Sequence, residues 1–193
     1  NESLNSSLGT SAVFSKETLT AQSLLVNKLG LGADEAAKLY KETAGTNETV
    51  GKFVRNTANL VTDFNKTNKT AISIKTVMQD VSQASARVSI NAKQFPGGIK
   101  QAALEARRLG TTLEKTASGM EAMLDFETSI SNEMEAEILL GRQLNLDKMR
   151  AAALANDQGT YMKELAKNAG TAAEYGKLNS VQASALAAAL GTS

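Results

Sequence analysis

The chain has 193 residues, 42% of them hydrophobic and 21% charged, long enough to bury a core and too apolar for a compositionally disordered segment. Its net charge of +1, from 21 basic and 20 acidic residues, supplies no field for nucleic acid or an anionic membrane. With no Cys and no His, it excludes disulfides, Cys and His nucleophiles, Ser-His-Asp triads, structural zinc and histidine-bearing di-iron sites.

Aromatic residues are 4% and Trp is absent, so the core must be filled by Ala, Leu, Ile, Val and Met, which suits helix-on-helix packing. The first residues, "NESLNSSLGTS", lack an initiator Met and a signal-peptide hydrophobic region, and read as the start of an interior or processed fragment. Ser15 is a candidate cap for a helix ending at Leu29-Gly30, and the next helix starts at Ala33-Asp34. The intervening "GLGAD" (30–34) follows a helix rather than a strand and lacks the third glycine of a dinucleotide-binding loop, so it reads as a helix–turn–helix corner.

Thr46-Asn47 can open a helix over 50–64, where Val50, Phe53, Val54, Thr57, Leu60, Val61 and Phe64 form one apolar stripe. Residues 71–93 repeat the pattern through Ile74, Val77, Met78, Val81, Ala84 and Val88. "FPGG" (95–98) holds the single proline and is the firmest break. It suggests two helical groups, 1–95 and 96–193, or one continuous domain. Beyond it the periodicity predicts helices over about 99–109, 112–140, 147–156, 158–168 and 180–190. Glycines 30, 110, 170 and 191 stand where helices end in left-handed geometry. No strand pattern appears, and the last apolar run (178–193) is too short and alanine-rich for a membrane span. The expected fold is all-α: a multi-helix bundle of short-to-medium helices joined by Gly/Asn/Thr turns, without a sheet. Leu-Gly pairs at 29–30, 109–110 and 190–191 suggest a duplicated unit, although the residues between them do not align.

"NEMEAEILLGRQLNLDKMRAAAL" (132–154) raises the main chemical question. Glu133 and Glu137 share a helix face and could hold an oxygen-ligated cation or act as acid and base. No Asp-rich or glycine-bearing calcium loop accompanies them, so the three glutamates are expected on the solvated face, with Met134 and Ile138 buried. Met120, Met123, Phe126, Ile130, Met134 and Ile138 run at spacings of three and four, a stripe for core packing or for a partner. Thr112 near Lys115 is read as a helix N-cap rather than half of a catalytic dyad. These residues point to no catalytic, cofactor or metal site.

Residues 125–191 carry D-F-E-x-S-I-x-x-E-x-E-A-E, then G-x-x-L-N-L-x-K-x-R, A-A-L-x-N-D, E-L-A-K-x-x-G and Q-x-x-A-L-A-x-x-x-G. This pattern resembles a segment of the very large tail proteins of tailed bacteriophages, of the tape-measure kind. "DFNKTNKTAISIKTVMQDVSQASAR" (63–87) resembles the part preceding it, and "LLVNKLGLGADEAAKLY" (24–40) resembles their helix, Leu-Gly, helix units. The resemblance implies a non-enzymatic virion component, assembled in the host cytoplasm and held in the tail lumen or tip, with chain length setting tail length. It implies other tail proteins as partners, and further copies of itself as a trimer or hexamer on the tail axis, with no cofactor, small-molecule substrate or specific nucleic acid. An extended ruler would be long uninterrupted helix at about 1.5 Å per residue. The breaks seen here instead favour a folded module. The alternative is a helical partner-binding module of a bacterial signalling or adhesion protein. A peptidoglycan-cleaving domain would need a catalytic Glu in a cleft, and the sequence nominates none.

Overall fold

A computed structural model describes residues 6, 16–44, 48–93, 95–170 and 172–192. The fold is all-α, and the described residues contain no strand. The chain divides into two compact units, 1–85 and 86–193. The division falls ten residues before the proline expected to mark it. The cause is the predicted 71–93 helix, which Ala84 breaks by leaving helical geometry at ψ 131. Its first half buries Val77, Met78 and Val81 in unit 1; its second half buries Val88 and Ala92 in unit 2.

In unit 1, helix α1 (Lys16–Ser23) widens into a π-type turn over Leu24–Lys28 that carries the buried Leu25. Ser15 lies outside the described residues. Gly30 takes φ +66, and α2 (Ala33–Ala44) starts where Ala33-Asp34 predicts. Helix α3 (Val50–Asn68) is capped by Thr49, whose side chain accepts the Lys52 N–H; Thr46 and Asn47 lie outside the described residues. Val50, Phe53, Thr57, Val61 and Phe64 form its buried stripe, while Lys52, Arg55, Asn56 and Asn59 face out as the periodicity requires. Helix α4 (Ile74–Gln83), capped by Ser73, packs on α2 and α3. Asn65 binds the turn between α3 and α4: its amide donates to Ile72 O and its carbonyl oxygen accepts from Ile72 N and Thr70 Oγ1.

Unit 2 comprises α5 (Ala86–Lys93), α6 (Gly98–Arg108), α7 (Leu113–Ala122), α8 (Phe126–Leu140), α9 (Asp147–Leu154), α10 (Gln158–Ala169), the one-turn α11 (Ala172–Tyr175) and α12 (Ser180–Ala189). Thr112 caps α7 by accepting the Lys115 N–H, as expected. The predicted 112–140 helix is interrupted at Met123-Leu124, and Asp125 caps a fresh helix through the Thr128 N–H and hydroxyl. Helix α7 packs against α6, α9 and α10; α9 pairs with α10 and α8 with α12. Ala102, Ala103, Leu104, Leu113, Met123, Leu146, Met149, Tyr161 and Leu186 are essentially inaccessible and fill the core.

The C-terminal Leu-Gly pair is held at close quarters. Tyr161 donates its hydroxyl to Leu190 O at 3.0 Å, and burial pushes this phenol well above its ordinary pKa. Gly119 lies against the Gly191 backbone; a Cβ on Gly119 would sit 2.8 Å from Gly191 O and run into the Tyr161 hydroxyl. Gly119→Ala is therefore an overpacking substitution in spite of alanine's better helix propensity. It should cost about 1–3 kcal/mol in urea unfolding, whereas Gly51→Ala, with open space around it in α3, should be neutral or stabilising.

Candidate functional site: a carboxylate-held loop and an exposed helix ridge

Helix α8 presents two different faces. Its C-terminus is Gly141, in left-handed geometry at φ +65, with its N–H on Glu137 O. The chain then crosses 142–146 to α9 without regular structure, and its backbone N–H groups need acceptors. Two glutamates supply them. Glu137 Oε1 accepts from Leu144 N at 2.7 Å, and Glu133 Oε1 accepts from Leu146 N at 2.9 Å. Asn168 of α10 completes the arrangement: its Oδ1 accepts Asn145 N at 3.3 Å and its Nδ2 donates to Asn145 O at 3.4 Å and Glu164 O at 2.9 Å. Arg142 donates to Asn168 O at 2.8 Å, placing a cation at the C-terminal end of α10.

The other Glu133 oxygen binds Arg150 of α9 at 2.6 Å. Arg150 also donates to Asp147 Oδ1 at 2.8 Å and to Ser129 Oγ at 3.2 Å. The side chains of Arg150 and Glu133 are only 10% and 12% exposed, so this is a buried ion pair. Burial pushes the Arg150 pKa down, but the hydrogen bonds and charges of Asp147 and Glu133 outweigh it, leaving the guanidinium above its ordinary value.

These contacts correct the expectation that the glutamate face is the wet one. Glu133 is buried and Glu137 half-buried, and only Glu135 is exposed. The expected buried side is the exposed one: Met134 is 58% and Ile138 79% accessible. The six-residue stripe divides at the Asp125 cap. Met120 and Met123 belong to α7 and its end and lie in the core, whereas Phe126, Ile130, Met134 and Ile138 form an outward ridge on α8. Spacing alone could not reveal this, because the restart at Asp125 turns the second half independently of the first. The missed signal was Asp125 followed three residues later by Thr128, a local capping pattern.

The ridge is the main physical oddity of unit 2. Leaving an Ile or Met side chain in water forgoes about 1.5–3 kcal/mol relative to full burial. Scattered exposed apolar residues are ordinary; a run at i, i+4, i+8 and i+12 on one helix is a patch. Another flank of α8, on the Glu135 side, is occupied by α12, whose Asn179–Gln182 capping box also sends Gln182 Nε2 to Leu139 O at 2.9 Å. No described helix is long and apolar enough to cross a membrane. The chain matches no protein-family model, no curated protein and no solved structure.

Glu133→Ala strands a buried guanidinium and the Leu146 N–H, and should cost about 3–5 kcal/mol. In a double-mutant cycle, Glu133→Leu with Arg150→Met should lose well under the sum of the single changes, measured by denaturant unfolding. The caps Asp125 and Asp157 provide a pH-dependent test. Hydrogen bonds from the hydroxyls and N–H groups of Thr128 and Thr160 hold both carboxyls below their ordinary pKa. A depressed folded-state pKa stabilises fully above the unfolded value of about 3.9 and is lost as pH falls through the lower folded value. Asp157→Asn keeps one of the two acceptor oxygens, that for the Thr160 N–H, without the proton equilibrium. Its urea midpoint should lie below wild type near pH ~7, and the gap should narrow as pH falls below about 4.

Proposed function

We propose that this chain is a non-enzymatic structural module of a bacteriophage tail protein of the tape-measure kind, acting in tail assembly by packing its helices against other protein. The observation that carries the reading is the α8 ridge of Phe126, Ile130, Met134 and Ile138, displayed on a helix anchored by buried contacts on its other flanks. An exposed apolar run on a rigid element is the physical signature of a packing surface. The 125–150 pattern that resembles tail proteins consists largely of residues with mechanical roles. Asp125 caps α8, Glu133 and Glu137 hold the loop, Gly141 ends the helix and Arg150 closes the ion pair.

The length of the helices favours a folded module over the ruler itself. The longest described helix, Val50–Asn68, has 19 residues and rises about 28 Å, a small domain's diameter. The role assigned is thus packing within the tail or its tip. Reading the chain as a bacterial partner-binding module draws on the same ridge and differs in where the partner resides.

Deleting 125–158 would remove Glu133 and Arg150 together and test folding as much as assembly. The surface substitutions Met134→Lys and Ile138→Lys are the sharper experiment. Each should leave stability within about 0.5 kcal/mol of wild type, while phage carrying both should yield few tails or tails of altered length by electron microscopy. Normal tails in normal number would overturn the proposal.

A further inference from the structure

The charges beside the α8 ridge restrict what can cover it. Helix α8 contains no Lys or Arg, and its exposed acids, Glu127 and Glu135, have no ionic partner among the described residues. Glu135 stands about 100° round the helix from Met134, at the border between the ridge and the flank facing α12, and Glu127 lies seven residues, two turns, before Met134 on the same side of the helix. Two α8 helices laid ridge on ridge would gather four carboxylates around the apolar strip, and like-charge repulsion opposes that pairing. The ridge calls for an apolar surface with a cationic rim.

Unit 2 itself carries one. Between α6 and α10 lies a hollow of about 260 Å³ lined by Phe95, Met162 and Ala166, with Glu105, Arg108 and Lys163 at its edge. Glu105 is taken up by Arg108 at 2.7 Å, so the rim's unneutralised charge is the exposed Lys163. The volume admits one large flexible side chain, not a helix, which suits a ridge whose central knob is Met134.

We infer that the α8 ridge of one copy docks on the α6–α10 hollow of a second copy, Met134 entering against Phe95 and Glu135 meeting Lys163. Thioether sulfur against an aromatic ring is a favourable and adaptable contact. Because the two patches differ, one contact leaves the hollow of one copy and the ridge of the other free, and association either closes reciprocally into a two-fold dimer or continues to a ring or an open stack. The inference rests on the reading of the ridge as a packing surface but does not require the virion.

The test is sedimentation velocity with light scattering on the whole chain from low to high micromolar concentration. Mass should rise with concentration from monomer to dimer or beyond. Glu135→Lys and Lys163→Glu should each weaken association by about fivefold or more, since reversal turns attraction into repulsion. The double reversal should restore it to within about twofold of wild type, with helical circular dichroism unchanged throughout. A well-folded monomer at every concentration overturns the inference, as does association indifferent to both reversals. If the ridge is still required for tail assembly when the chain is a monomer, only this docking falls; a ridge dispensable in both assays removes the packing role as well.

Discussion

The buried contact of Glu133 with Arg150 governs the second unit. Moving both charges out of water costs several kcal/mol per ion, and their mutual attraction repays this only when the remaining hydrogen-bonding capacity is used. Here it is used: Glu133 also accepts the Leu146 N–H, and Arg150 also reaches Asp147 and Ser129. Such a pair adds modest net stability, but it heavily penalises any arrangement that leaves one charge unpaired. It therefore ties one register of α8 against α9 to one path of the loop between them.

From that register follows the exposure of the ridge. With Glu133 and Glu137 committed to the loop and α12 on the other flank, Ile130, Met134 and Ile138 have no face of the unit left to bury against. Glu133 and Ser129 of α8 point inward with Ala136, while Phe126, Ile130, Met134 and Ile138 point outward beside the exposed Glu127 and Glu135, the reverse of what an ordinary surface helix does with its large apolar residues. An isolated monomer gains nothing from this arrangement, since the forgone burial of several large side chains is comparable to a substantial part of a domain's net stability. The proposed packing surface would supply the burial that the unit itself does not.

The two units are built by different means. Unit 1 follows simple amphipathic rules: the α3 stripe is buried, its polar face is wet, and Thr49 and Ser73 cap their helices. Unit 2 uses small residues for close approach, with Gly119 against Gly191 and a core rich in alanine and methionine. It then relies on side-chain-to-backbone hydrogen bonds to hold its connections. That is why its loops carry chemically distinctive residues.

How much of this was legible in the residues alone differs by feature. The all-α class, the α3 stripe, the Thr112 cap and the left-handed glycines at 30, 110, 170 and 191 follow from local rules: period, cap chemistry and the steric freedom of glycine at positive φ. The breaks at Ala84 and at 123–125 were hidden because the apolar spacing runs on across them, and spacing carries no information about which core each half enters. The inversion of α8 was hidden for a deeper reason. A glutamate is assigned to water because an unpaired carboxylate is costly to bury, and whether it is paired depends on Arg150 and Leu146, which are 17 and 13 residues further along the chain. Local pattern determines what a helix can bury; the partners that tertiary packing brings within 3 Å determine what it does bury.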